Sequence, residues 1–266
     1  MIFNFDSTQA NAPILSGSAG SLRGLLKACL VDGFGSQAVV SIVVVAGIAT
    51  VSYAAPHPFS RLHVARITGA TPSALNGNQL VLSRTSNTFT FAAPGVPDGV
   101  ATGTITSLAA PAGWQQLFAD SSPANVLVIK SAAAESSGSV LRIDDSGTTT
   151  ARVLGYESMS DASMGSGAFP TEAQQAGGLY WPKSDTANST ARVWRIFADA
   201  RFFMLWVSPS SSNRQIGPLF GFGDSIVDGS VDQYGSVIFG SIAANVVSDS
   251  SLGSGCLGVG NGPGTG

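Results

Sequence analysis

Arg192-Val193-Trp194-Arg195-Ile196-Phe197-Ala198, Asp199-Ala200, and then Phe202-Phe203-Met204-Leu205-Trp206-Val207-Ser208 reads as a β-hairpin. Asp199-Ala200 supplies the tight turn between two runs rich in β-branched and aromatic residues. The second run is apolar at successive positions, so both of its faces want cover. Such a strand belongs in the middle of a sandwich or beneath a neighbour.

Working outward, the same strand signals recur over most of the chain. Expected strands on the N-terminal side are Val39–Val45, Leu62–Ile67, Gln79–Ser83, Thr88–Ala92 and Val100–Thr106. Asn76-Gly77 is a hairpin signal, and Pro94-Gly95 with Asp98-Gly99 marks a further turn. A second set comprises Val126–Lys130, Val140–Ile143, Ala151–Gly155, Gly178–Trp181, Gly217–Phe222 and Ser236–Ile242. The spacing predicts one helix. Ser21 is placed to cap it, Leu22, Leu25, Leu26, Cys29 and Leu30 recur at helical period, and Gly33 ends it. Its apolar stripe would dock on a sheet.

Composition bounds the function. Of 266 residues, 11% are charged, against about 25% in ordinary soluble domains. A weakly charged β protein risks aggregation unless Ser, Thr and Asn cover its surface or partner chains bury it. The net charge of −3 comes with no basic cluster, which argues against nucleic acid as a partner. The longest apolar run, Val39 to Ala55, is interrupted by Ser41, Gly47, Thr50, Ser52 and Tyr53. It reads as one or two buried strands rather than as a membrane helix, which needs about 20 apolar residues. Met1 to Asp6 lacks the basic start and apolar stretch of a signal peptide. Cys29 and Cys256 read as free thiols.

No candidate carries a complete chemistry. Gly223-Asp224-Ser225 resembles the nucleophile block of the GDSL lipases and esterases. That mechanism needs a histidine base downstream, and the only histidines, His57 and His63, lie far upstream. Without a base the Ser225 hydroxyl stays a weak nucleophile. Asp224 is expected instead to cap amides at a strand end. Asp224, Asp228 and Asp232 are spaced by four, but flanking glycines indicate loop, and a calcium ion needs six to eight oxygens. Asp144-Asp145-Ser146-Gly147 reads as a turn. Gly253-Ser254-Gly255-Cys256-Leu257-Gly258 has dinucleotide-like spacing but opens no helix. His57 and His63 have no ligand companions at metal spacing and read as turn or surface residues. The expectation is therefore no catalytic residue, no cofactor and no metal. Tyr180, Trp181, Trp194, Phe202, Phe203 and Trp206 could line a sugar-binding face, with Tyr180, Trp181 and Trp194 as the candidate interaction surface. The competing reading for all six, at strand spacing, is core.

Two stretches carry a resemblance. The first runs Gly20-Ser21-Leu22-Arg23-Gly24-Leu25-Leu26-Lys27-Ala28-Cys29-Leu30-Val31-Asp32-Gly33-Phe34-Gly35-Ser36. The second runs Leu141-Arg142-Ile143-Asp144-Asp145-Ser146-Gly147, Ala151 to Asp161, and Gly178-Leu179-Tyr180-Trp181-Pro182-Lys183-Ser184. Together they resemble virion-structural and tail-associated proteins of tailed bacteriophages and prophages. In those proteins the helical segment runs quickly into a Pro-Ala-Gly-Trp-like segment, matched here by Pro111 to Trp114 after a long interruption. The interruption, with Ile67 to Gly77, Asn87 to Phe91 and Gly95 to Ile105, resembles a small β module common in phage structural proteins.

The fold expected is mainly β. A β-sandwich-like host domain with one N-terminal helix, residues 1–37 plus 111–247, would be split by an inserted small β-barrel or sandwich, residues 38–110. Residues 248–266 read as a Gly/Ser-rich flexible tail or a loop cut short of its next strand. The resemblance implies a non-enzymatic component of a phage virion, built in the bacterial cytoplasm. A tail, tail-fibre or adaptor role comes first and a head fibre, decoration or collar protein second. Its partners would be copies of itself and other virion proteins. A receptor- or glycan-binding module contacting the host cell surface is the alternative of a different class. No membrane insertion is expected.

Overall fold

A computed structural model describes residues 1–118, 124–212, 216–225, 235–244 and 256–261. Strands account for 43% of the chain and helix for 7%, so the architecture is mainly β, as the sequence predicts. The N-terminal strands are β1 (Phe3–Asp6), β2 (Phe34–Ala38), β3 (Ser41–Val45), β4 (Ile48–Ser52), β5 (Val64–Thr68), β6 (Gly77–Leu80), β7 (Ser83–Arg84), β8 (Thr88–Ala92), β9 (Gly99–Val100) and β10 (Thr106–Ala109). They are followed by β11 (Trp114–Gln116), β12 (Val126–Ser131), β13 (Val140–Asp144), β14 (Thr150–Tyr156), β15 (Ser158–Met159), β16 (Gly165–Ser166) and β17 (Leu179–Pro182). The last are β18 (Val193–Ala198), β19 (Phe202–Ser208), β20 (Leu219–Asp224), β21 (Ser236–Ser241) and β22 (Cys256–Asn261).

One 11-stranded antiparallel sheet dominates, in the order β1-β18-β19-β20-β21-β17-β14-β13-β12-β11, with β22 also pairing β21. It curls on itself. Trp114 on β11 packs edge-on against Phe203 of β19, ring centroids 5.3 Å apart, and its indole N–H reaches Asp199 O at 3.0 Å. Trp181, Trp194, Phe203, Leu205, Phe220 and Phe222 fill the inner face. The hairpin predicted across Asp199-Ala200 forms as β18–β19, in register from Val193↔Ser208 to Ala198↔Phe203. The residues 256–261 of the supposed flexible tail form β22 instead.

The predicted helix, α1 (Ser21–Lys27), continues as one π-helical turn, Ala28–Asp32, and stops at Gly33 with φ 81°. Leu22, Leu25, Leu26, Cys29 and Leu30 are buried in the same core as the sheet's inner face. The expected cap is corrected. Gly20 occupies the N-cap in a left-handed conformation, and Ser21 Oγ donates to Ser16 O at 2.8 Å. The cap comes from a residue distant in sequence, as described below.

Residues 34–109 build a second hydrophobic core between a four-stranded sheet, β2-β10-β5-β6, and a five-stranded sheet, β7-β8-β4-β3-β9. β2 and β10 are neighbours, with Phe34 opposite Ala109, so the two ends of this segment lie side by side. The four-stranded sheet begins at Phe34, ahead of the boundary expected at residue 38. The apolar run Val39 to Ala55 is the β3–β4 hairpin, turned at Ala46-Gly47 with positive φ at both residues. Asn76-Gly77 is not a two-residue turn. Asn76 is extended, and its side chain bonds both Ala70 N and Ala70 O across the longer β5–β6 connection. Among the described residues no helix is long and apolar enough to cross a membrane.

Candidate functional site: a bare apolar face and a buried ion pair

Successive residues of a strand point to opposite sides, so the outer face of the large sheet follows from its register. Phe203, Leu205 and Val207 point inward and are fully buried. Phe202, Met204 and Trp206 therefore point outward, and all three are half-buried. Met204 pairs with Phe197 on one side and with Gly221 on the other, and Gly221 in turn pairs with Phe239. Trp206 lies between Arg195 and Leu219. Phe197 is 44% exposed and Leu219 43%. Phe202 and Phe239 lean together at a ring-centroid distance of 6.2 Å.

Among the described residues the result is an uncovered apolar outer surface over β18 to β21, interrupted by Arg195. A Cβ on Gly221 would collide with the Phe239 ring, so glycine lets that ring lie flat on the sheet. Trp206 Nε1 donates to Gly217 O at 3.1 Å. Its one polar group is thus satisfied and its ring is left to make apolar contact. Arg195 is exposed beside this surface, directly opposite Asp6 of β1.

Over β12 and β13 the same outer face is covered by the chain itself. Val126, Val128 and Val140 point outward yet are 5%, 2% and 3% exposed. They pack with Ala162, Tyr156, Met159, Leu117 and Phe118 beneath the β15–β16 hairpin. Arg142 Nε fastens that hairpin by donating to Ala162 O at 2.8 Å. Next to it, the Arg152 guanidinium stacks 3.7 Å from the centroid of the Tyr180 ring.

The predicted interaction surface is corrected. Trp181 and Trp194 are fully buried, and their indole N–H groups donate to Phe239 O and Pro13 O at 3.1 Å each. Only Tyr180 points outward, and Arg152 caps its ring. Of the other aromatics in the candidate set, Phe202 and Trp206 point outward, with Met204 between them, while Phe203 points inward. The signal for them was present in the sequence, but which parity faced out was not.

The enzyme-like candidates resolve into structural roles. Asp224 ends β20 and binds Arg201 Nε at 2.9 Å, Ser137 Oγ at 2.6 Å and Ser137 N at 3.1 Å. Ser225 is exposed, and its N–H donates to Gly235 O at 2.9 Å. Asp228 and Asp232 lie outside the described residues. His57 and His63 are not surface residues: both are buried in the second region. His57 Nδ1 accepts from Phe59 N at 3.1 Å while Nε2 donates to Thr88 O at 2.9 Å. His63 Nδ1 accepts from Ser60 N and from Gln9 Nε2, each at 3.0 Å. Among the described residues no group of three or more His, Cys, Asp or Glu is placed to hold a metal. Cys29 is a free thiol, and burial pushes its pKa well up.

The Asp144-Asp145 turn holds the least expected arrangement. Asp145 is not a solvated turn residue: its side chain and that of Lys183 are fully buried and in direct ion-pair contact. Asp145 Oδ2 accepts from Leu22 N at 2.8 Å and Arg23 N at 3.0 Å, so this carboxylate caps α1 from 123 residues away. Lys183 Nζ also donates to Ser18 O at 2.8 Å. Burial pushes the Asp145 carboxyl up, against the pull of Lys183 and the two amides, and pushes the Lys183 ammonium down. Opposite shifts of this kind bring a pair toward its neutral form.

Compared with known proteins, the chain matches no family model, no curated protein and no solved structure.

Proposed function

We propose that this chain is a non-enzymatic structural protein that works by assembly, and that the bare outer face of β18 to β21 is where a second copy of the chain docks. The observation that carries this reading is the contrast within one sheet face. Its β12–β13 half is sealed by the chain's own hairpin, whereas its β18–β21 half leaves Phe197, Trp206, Leu219 and Phe239 in contact with water. Uncovered apolar surface of this kind marks interaction sites, and tryptophan and other aromatics dominate the energetics of such sites. The face also carries one cation and one anion on a single cross-strand pair, Arg195 and Asp6. A two-fold arrangement turns Arg195 of each copy toward Asp6 of the other, which gives the self-complementarity that a symmetric interface requires. The low charge of the chain is in keeping with a surface that ends up buried.

The resemblance carried by Gly20 to Ser36, Leu141 to Gly147 and Gly178 to Ser184 supports a place in the virion of a tailed phage. Tail, fibre or adaptor comes first and a head-associated position second. In that setting residues 34–109 act as an inserted module that adds a further contact surface. Sedimentation of the purified chain tests the assembly. The wild type is expected to associate and Trp206→Glu to sediment as a folded monomer. A wild type that remains monomeric up to high micromolar concentration overturns the assembly reading. Mass spectrometry of purified particles tests the virion assignment, which is overturned if the chain is absent from them.

A further inference from the structure

We propose that Asp145 and Lys183 are the two halves of an intramolecular amide cross-link. Leaving them as ions is costly. Two opposite charges removed from water lose solvation that their mutual attraction offsets only when every remaining lone pair and proton finds a partner. Here the side chains are both fully buried, in direct contact, and bonded to backbone groups of Ser18, Leu22 and Arg23.

The same surroundings assemble the requirements for amide formation. An amine attacks only in its free-base form, and burial favours that form for Lys183. A carboxyl group accepts attack when its oxygen is polarised by fixed donors. Leu22 N–H and Arg23 N–H both point at Asp145 Oδ2, where negative charge develops as the carbonyl carbon becomes tetrahedral. Ser18 O holds Nζ beside the carboxyl group, so no diffusive encounter is needed. From the ion pair, one proton passes from Nζ to Oδ1, giving an amine and a carboxylic acid. Nζ then attacks Cγ, the Nζ–Cγ bond forms and the Cγ–Oδ1 bond breaks. Oδ1 leaves as water, carrying its own proton and one more from the nitrogen. Nothing is oxidised or reduced, and no co-reactant is consumed. The carbonyl oxygen that remains, Oδ2, keeps its two amide donors and goes on capping α1.

The position of the bond gives it a mechanical use. Asp145 follows β13 and Lys183 follows β17, and these strands are separated in the sheet by β14. A covalent tie would join non-adjacent strands and fix the start of α1 against both. It acts within one chain, so it stands whether or not the assembly reading is correct.

Intact-mass measurement on the denatured, reduced wild-type chain tests the proposal. A mass one water below that of the sequence is expected, together with a branched peptide joining the Asp145 and Lys183 segments after proteolysis. Lys183→Arg should restore the full sequence mass. The measurement on the wild type decides the matter even if that variant folds poorly. A wild-type chain of full sequence mass after prolonged incubation at neutral pH, with Lys183 open to amine reagents once denatured, overturns the proposal and leaves a buried ion pair.

Discussion

The two halves of the large sheet's outer face solve one problem in different ways. Over β12 and β13, Val126, Val128 and Val140 point away from the main core, and the chain returns as the β15–β16 hairpin to seal them. Over β18 to β21 the outward residues are larger and more aromatic, yet they stay partly exposed, Phe197 at 44%. Burying an aliphatic side chain is worth about 1.5–3 kcal/mol, and that gain is taken within the chain on one half and left untaken on the other. Apolar surface that a chain covers for itself contributes to folding. Apolar surface left open by the same chain is available for association. Substitutions in the two halves should therefore be read by different instruments.

The largest effect is expected on the sealed half. Val128→Asp buries a carboxylate under the hairpin, directly opposite an Arg142 that is already bonded to Ala162 O and to Asp144 at 3.4 Å. A loss of about 4 kcal/mol in unfolding free energy is expected, measured by urea denaturation. The association of whatever fraction stays folded should be unaffected. The same kind of substitution on the open half, Trp206→Glu, should behave oppositely. Association should weaken by at least about 30-fold, as for a tryptophan hot spot. The urea midpoint at a concentration where the wild type is monomeric should barely move. If Trp206→Glu unfolds the monomer instead, the open half belongs to the folding core and the distinction between the halves fails.

Removing the cover sharpens the comparison further. With residues 158–166 replaced by a short linker, Val126, Val128 and Val140 become open as well. Stability should fall by roughly 1–2 kcal/mol for each valine exposed. The shortened chain should also gain a second mode of association, one that Trp206→Glu does not abolish. Light scattering of the double variant reads this directly, and a strictly monomeric double variant would refute it.

The sequence makes one half of this contrast more legible than the other. The run from Phe202 to Val207 announces by itself that both faces of its strand are apolar, and the hairpin at Asp199-Ala200 fixes its partner. Parity is not in the pattern, because a strand apolar on both faces gives no alternation to tell inside from outside. The sequence therefore offers Trp181, Trp194 and Phe203, which face inward, alongside Phe202 and Trp206, which face outward. The seal over Val126, Val128 and Val140 was invisible for a different reason: β15 and β16 span two residues each, too short for a strand signal. Asp145 read as a turn residue because its partners, Leu22, Arg23 and Lys183, are remote in sequence. The helix itself was clear from its leucine period, while its cap depends on tertiary contacts alone. Ser21 has the right chemistry for an N-cap but turns its hydroxyl to Ser16.

A change of pH should separate folding from association with the smallest effect of the set. The open half contains no histidine. His57 and His63 lie instead in the region of residues 34–109. Burial lowers the pKa of His57, helped by nearby Arg84 and opposed by the hydrogen bond to Thr88 O. Burial likewise lowers that of His63, with Asp6 opposing and Arg84 assisting. In each ring Nδ1 accepts a hydrogen bond from a backbone N–H, so a proton arriving there must break it. The folded protein thus binds these protons less readily than the unfolded chain. The contribution of both histidines is fully present above the ordinary histidine pKa, near 6.5, and is lost as pH falls below it through the depressed folded values. The melting temperature should drop by a few degrees as the buffer is taken from neutral to mildly acidic, and His57→Gln should flatten part of that slope. Association measured over the same window, where the chain is still folded, should hold steady. If association instead falls in step with the melting temperature, the docking surface lies on the histidine-bearing region and not on β18 to β21.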